Sequence, residues 1–303
     1  MEVTLTNKKQ AWLHAIRLRT LPLALSSILM GSFLAVLAGS FRWEVMTLAA
    51  LTTIFLQILS NLSNDYGDSV HGADSAHREG PVRAVQSGLI ALPEMKRAMV
   101  LLVILSLLSG LTLLYISFDN LRLFLTFLGL GVAAIVAAIT YTSGKKPYGY
   151  AGLGDISVFL FFGLLGVCGT YFLHTLSFEP LVLLPAASLG MFSTAVLNIN
   201  NIRDIASDTK AEKKSIPVRI GRKNAVIYNW ALIILGNALL LVFVFSKQEW
   251  GCLIALVLLP LMVNVGRSVS SKTNPRELDP FLKKMAISTL LWVLAFGAGV
   301  LFF

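Results

Sequence analysis

Asn61 and Asp65 lie four residues apart, as do Asn64 and Asp68, in the run Gln57-Ile-Leu-Ser-Asn61-Leu-Ser-Asn64-Asp65-Tyr66-Gly67-Asp68, and Asp74 follows shortly after. A second run, Asn198-Ile-Asn200-Asn201-Ile-Arg203-Asp204, repeats the spacing through Asn200, Asp204 and Asp208. Residues four apart share a helix face, so each run predicts one stripe of carboxylates and amides. Such a stripe is unfavourable by itself. Like charges four apart repel by a few tenths of a kcal/mol, and a helix C-terminus already carries partial negative charge. A divalent cation relieves both problems. Oxygen-only donors suit a hard ion such as Mg²⁺, which keeps waters and is often shared with substrate phosphates. The two clusters facing each other would cradle Mg²⁺ and a diphosphate, with ligands drawn from Asp65, Asp68, Asp74, Asp204 and Asp208. Arg83, Arg203, Lys213 and Lys214 are near enough in sequence to meet the remaining phosphate oxygens. For one such motif, acids solvated in a loop would be an adequate reading; two of like spacing argue against it.

A third stretch places Tyr141 and Lys145 four apart, followed by Pro147-Tyr148-Gly149-Tyr150. Lys145 can bind phosphate as a point charge, and it can equally be an interfacial lysine beside belt tyrosines.

Long apolar elements must position these groups. The chain has 303 residues, 56% hydrophobic and 14% charged. Soluble domains carry about 25% charged residues, so a soluble fold is excluded, and disorder needs the opposite balance. Cys168 and Cys252 both sit in apolar runs, which excludes a disulfide framework and a cysteine metal site. A spanning helix needs about 20 apolar residues. Nine candidates occur, near 21–39, 43–64, 95–117, 121–142, 155–175, 180–201, 225–246, 250–266 and 282–303. They form one transmembrane domain over residues 1–303, an all-α polytopic bundle embedded in the lipid bilayer. Placing the N-terminus in the cytoplasm puts every Lys and Arg on the cytoplasmic face except Arg42, Arg122 and Lys247, a strong positive-inside signal. The C-terminus then lies on the opposite face, and both acidic motifs lie at cytoplasmic ends. The basic excess orients the chain and surrounds the acids; no nucleic-acid partner is expected.

With these three loops read, the sequence resembles the UbiA superfamily of intramembrane prenyltransferases, and within it the branch that prenylates a dihydroxynaphthoate. The resemblance covers nearly the whole chain. It rests on Asn64-Asp65-Tyr66-Gly67-Asp68 with Asp74, on Asn200-Asn201-Ile202-Arg203-Asp204 with Asp208, and on the Tyr141…Lys145 pair. Gly80-Pro81-Val82-Arg83-Ala84-Val85-Gln86-Ser87-Gly88, Pro147-Tyr-Gly-Tyr-x-Gly-Leu-Gly154 and Arg19-Thr20-Leu21-Pro22 fit the naphthoate branch. Glu212 stands where the second motif's loop usually has glycine, which leaves open whether Lys213 or Lys214 reaches the diphosphate.

The resemblance implies a nine-helix UbiA-like bundle with a cytoplasmic-side active site in a cytoplasmic (inner) membrane. It implies Mg²⁺-dependent transfer of a polyprenyl group from polyprenyl diphosphate to 1,4-dihydroxy-2-naphthoate, with decarboxylation to demethylmenaquinol. Asp68, Asp204, Asp208 and Lys145 would be catalytic. Asn64, Arg83, Tyr141, Lys145, Asn200, Arg203, Lys213 and Lys214 would line the diphosphate mouth. Phe159, Phe161 and Phe162 are candidates to shelter an allylic cation, or are ordinary packing residues. Another aromatic acceptor, such as 4-hydroxybenzoate, is the rival within the superfamily. A secondary transporter is the rival from another class, since transporters also carry buried polar stripes.

Overall fold

The computed structural model describes residues 7–70 and 83–303. Among these residues the fold is helical throughout, and nine helices are long and apolar enough to cross a membrane. The chain is thus a multi-pass membrane protein.

A short helix α1 (Lys8–Ile16) precedes the first span, capped by Asn7, whose side chain accepts from the Gln10 amide at 2.9 Å. A turn at Leu18–Thr20 redirects the chain into α2 (Leu21–Leu37). Next come α3 (Trp43–Val70), α4 (Leu92–Ser117) and α5 (Leu121–Thr140). The fifth span is composite: α6 (Gly154–Val158), a π-helical stretch at Phe159–Cys168, then α7 (Gly169–Thr175). Then follow α8 (Leu183–Arg203), a short α9 (Ile205–Lys210) and α10 (Ile216–Lys247). Trp250–Leu258 winds as a 3₁₀ helix into α11 (Leu259–Ser271), and α12 (Asp279–Phe302) closes the chain after a turn at Pro275–Leu278. Proline stands in the first turn of α2, α4, α10, α11 and α12, where its missing N–H is one the helix would leave unpaired anyway.

Two differences from the sequence expectation matter. Helix α3 continues past residue 64 to Val70, so the second span is longer than expected and carries the first motif through Asp68 on regular helix, as its four-residue spacing implies. Helix α10 begins at Ile216, bends at Gly221 (φ 76°, ψ 161°), and so extends the seventh span toward the second motif.

The apolar packing falls into separate clusters. The largest joins α2, the π stretch, α8, α10, α11 and α12 around Phe192, Trp292 and Phe296, all fully buried. A second joins α1, α3 and α4 around Leu59, Leu62 and Met95. A third packs α3, α4 and the end of α7 at the other end of the bundle. Helix α5 is the least enclosed, with only Ile135 buried. A cavity of about 500 Å³ lies between these clusters, walled by α2, α3, α4, α5, the composite span, α8 and the start of α12.

Candidate active site

The cavity is apolar along its length, where Phe127, Leu128, Ile135, Phe161, Phe162 and Leu165 face it. One end is polar, and both acidic motifs meet there. Asn64 and Asp68 of the first motif line it together with Asn200, Asp204 and Asp208 of the second. Gln57 and Asn61 continue the α3 stripe inward as their spacing predicts, joined to each other and to Thr20 by hydrogen bonds of 2.9–3.2 Å.

Asp68 is 9% exposed and ion-paired with Arg83. It also accepts from the Tyr150 hydroxyl at 2.8 Å. Asp65 sits at the edge of the stripe and does not line the cavity. Its oxygens accept from the Ala84 and Val85 amides at 3.1 and 3.3 Å. The expectation that all four motif residues share one outlook is therefore revised. Asp65 fastens the turn that carries Arg83, and Asp68 holds the arginine's other end. Asp74 lies outside the described residues.

The close approach of the chain at Thr142 completes this side. Its hydroxyl donates to the Ser63 carbonyl (3.0 Å) and to Asn64 Oδ1 (3.1 Å). A Cβ on Gly67 would stand 2.5 Å from the Thr142 carbonyl oxygen, so only glycine fits there. Gly67→Ala should destabilise the protein by about 1–3 kcal/mol through overpacking, seen as a lower thermal midpoint in detergent.

On the second motif, Lys213 Nζ pairs with Asp208 at 3.3 Å and Ser215 donates to the other carboxylate oxygen at 3.2 Å. Burial pushes the Asp208 carboxyl above its ordinary value, opposed by Lys213. Burial also pulls at the Lys213 ammonium, but Asp208, with Tyr141, Asp68 and Asp204 nearby, outweighs it and holds its pKa above the usual value. Lys213 is thus a cation set among the carboxylates of both motifs, and it lines the cavity. Lys214 does not line it; its main-chain amide donates to the Tyr150 carbonyl at 2.9 Å.

Arg203 corrects another expectation. Its side chain is 1% exposed, absent from the cavity lining, and committed to carboxylates: Asp204 through Nε and Nη2 at 2.7 Å each, and Asp279 through Nη1 at 2.6 Å. Its donors are spent on protein oxygens and do not face a phosphate. Lys145 is exposed and outside the lining, because the turn after Tyr141 carries it away from the cavity. Tyr141 does line the cavity, its ring set edge-on to Tyr148 at 5.2 Å. Burial pushes its phenol up to about 12, so it stays neutral at physiological pH. Of the three phenylalanines, Phe161 and Phe162 face the cavity, while Phe159 packs on Gly190.

Tyr150 was legible in the sequence only as part of a glycine-rich stretch. Its hydroxyl holds the first motif, its carbonyl holds the loop of the second, and Arg219 donates to the Ala151 carbonyl at 2.6 Å. A Cβ on Gly152 (φ 82°) would lie 2.3 Å from the Lys214 carbonyl oxygen, so glycine there lets the Tyr150–Gly152 segment press against that loop. Hydrogen bonds to charged groups contribute about 1.5–3 kcal/mol. Tyr150→Phe should therefore lower catalytic efficiency roughly tenfold, measured against wild type at equal Mg²⁺.

The donor set fits Mg²⁺ in a specific way. Among the described residues no three His, Cys, Asp or Glu side chains converge on one point, so there is no closed protein cage. Asp68 on one wall and Asp204 and Asp208 on the other, backed by Asn64 and Asn200, offer one or two carboxylates per side. That is the arrangement for an ion whose remaining positions are taken by water and substrate phosphate.

A helical membrane bundle that opens an acid- and amide-lined mouth onto a long apolar cavity is built as an intramembrane enzyme for an amphiphilic substrate. The UbiA prenyltransferase family model matches residues 24–290, and the chain belongs to that family. It is 45% identical to the 1,4-dihydroxy-2-naphthoate octaprenyltransferase of Haemophilus influenzae, over 98% of this chain and 97% of that protein. It is 35% identical to the protein of the same name from Mycobacterium tuberculosis, over 96% and 97%. Among solved structures, a UbiA homolog from Archaeoglobus fulgidus bound to DMAPP and Mg²⁺ has the same fold, with a TM-score of 0.61 at 16% identity, covering 96% of this chain and 99% of that one. The transporter alternative is set aside by this membership.

Proposed function

We infer that the protein transfers a polyprenyl group from polyprenyl diphosphate to 1,4-dihydroxy-2-naphthoate, with Mg²⁺, and that carbon dioxide leaves to give demethylmenaquinol. The observation that carries this reading is the meeting of both Asp motifs at the polar end of one apolar cavity. The identity to naphthoate octaprenyltransferases over nearly full length supports the acceptor.

Asp68, Asp204 and Asp208 would hold Mg²⁺, with Asn64 and Asn200 supporting its waters or the phosphate. Bound there, the metal supplies charge neutralisation for the departing diphosphate. Lys213 and Arg83 add fixed positive charge at the same end, where developing negative charge is stabilised without reorganisation. The isoprenoid tail occupies the apolar length of the cavity. As the allylic carbon–oxygen bond breaks, the neutral ring of Tyr141 and the faces of Phe161 and Phe162 shelter the cation. The ring carbon bearing the carboxylate attacks; the new carbon–carbon bond forms there, and loss of carbon dioxide restores the aromatic ring. The charge asymmetry of the loops favours a cytoplasmic (inner) membrane location, with the N-terminus and the acidic mouth cytoplasmic.

The test supplies membranes reconstituted with the purified protein with dihydroxynaphthoate, a polyprenyl diphosphate and Mg²⁺. Prenylated, decarboxylated naphthol is expected, with 4-hydroxybenzoate giving none. Absence of naphthoate product, or equal use of 4-hydroxybenzoate, would sink the proposal.

A further inference from the structure

Asp204 does not stand alone behind the cavity wall. Arg203 donates to it through Nε and Nη2, Nη2 also donates to Asn200 Oδ1 at 2.9 Å, and Asn200 Nδ2 donates to Asp204 at 3.3 Å. The remaining Arg203 arm, Nη1, goes to Asp279 Oδ1 at 2.6 Å. Asp279 is in turn held by Arg19 Nη1, at 3.2 and 3.0 Å to its two oxygens. Three separate parts of the chain are joined this way: the turn before α2, the end of α8 and the start of α12. The four charges alternate and sum to zero, which is how a buried guanidinium is tolerated. Asp279 also sits in the first turn of α12, where a helix favours an anion.

The arrangement has a consequence for the site. Arg203 is nearly sealed from solvent and must be neutralised by carboxylate. Were Asp204 its only partner, the arginine would compete directly with any cation for that carboxylate. Asp279 takes one of the three guanidinium nitrogens, so Asp204, which lines the cavity, neutralises less of the arginine's charge than it would alone. Arg19 and Asp279 lie outside both acidic motifs, and neither role is visible in the spacing of the sequence.

We propose that Asp279 is a positioning residue for the metal-diphosphate site: by sharing Arg203 with Asp204, and itself anchored by Arg19, it keeps Asp204 aimed and charged for cation binding. The inference rests on the functional reading above. Removing the Asp279 charge would leave Arg19 and Arg203 as two cations beside a single carboxylate, and a divalent ion would then meet repulsion.

The experiment measures Mn²⁺ binding by electron paramagnetic resonance to the full-length protein in detergent, with geranyl thiolodiphosphate present. In Asp279→Asn the Mn²⁺ dissociation constant should rise roughly tenfold, the size of one lost charge-assisted contact. Asp279→Glu should recover most of that loss, and the Arg19→Gln/Asp279→Asn double variant should bind more tightly than Asp279→Asn, because it removes one excess cation. The apparent Mg²⁺ requirement in the prenyl-transfer assay should follow the same order. Unchanged Mn²⁺ affinity in Asp279→Asn, or a double variant weaker than the single, would overturn the inference alone. No Mn²⁺ binding by the wild type would overturn the metal reading and this inference with it.

Discussion

Asp68→Asn is expected to lower kcat/KM for prenyl transfer by about 10²–10³-fold, the range seen when one preorganised electrostatic contact is removed from a reacting centre. Asparagine keeps the shape of the side chain and can still accept from the Tyr150 hydroxyl, so the packing of α3 against Thr142 is preserved. What it removes is the charge. Among the described residues, Asp68 is the carboxylate of the first motif that faces the cavity, since Asp65 is turned to the Ala84 and Val85 amides. The substitution therefore withdraws an anion that the proposed function assigns to the metal, and also the ion-pair partner of Arg83. Both effects act on the diphosphate end. The loss should appear as a raised Mg²⁺ requirement together with a lower kcat. Asp65→Asn makes a useful contrast: it should act through the Arg83 turn, lowering thermal stability more than it changes Mg²⁺ dependence. Equal Mg²⁺ profiles for Asp68→Asn and wild type would remove Asp68 from the metal site.

The second large effect separates neighbouring lysines. Lys213→Gln should reduce kcat about 100-fold, whereas Lys214→Gln should stay within about twofold of wild type. Lys213 reaches Asp208 and is held charged by the carboxylates around it. It lines the cavity, and on the proposed function it is the cation of the second motif that would face the leaving group. Lys214 contributes its backbone amide to Tyr150, which a glutamine leaves intact. Single-turnover measurements with saturating prenyl diphosphate would separate the chemical step from binding. A Lys214 variant as impaired as the Lys213 variant would show that the loop rearranges on substrate binding.

Much of this protein was legible without coordinates because its two strongest signals are local. Hydrocarbon thickness demands spans of a set length, so apolar runs reported the nine helices directly. Helical periodicity then placed Gln57, Asn61, Asn64, Asp65 and Asp68 on one face, and Asn200, Asp204 and Asp208 on another; all of them except Asp65 face the cavity. Spacing of four was enough for that because both motifs lie on regular helix or at its end. It was not enough for Asp65, which sits at the edge of that face and is captured by the amides of a turn nineteen and twenty residues further on.

Side chains whose partners are distant in sequence were decided by tertiary structure alone. A cationic loop residue looks like a phosphate ligand from composition, but its direction depends on what packs beside it. Arg203 is turned inward because two carboxylates, one from the start of the last span, enclose it. Lys145 is carried outward by its turn, and Lys213 inward by the fold of the loop after α9. Tyr150, Arg19 and Asp279 gain their roles only when separate spans converge at one end of the bundle. Sequence by itself determined the membrane class, the nine spans found among the described residues and the residue types at the two acidic helix ends. The tertiary structure decided which of the charges around them face the cavity and which are spent holding one another. A buried charge must be balanced by whatever group the fold brings within hydrogen-bond reach, and that partner is rarely its neighbour in the chain.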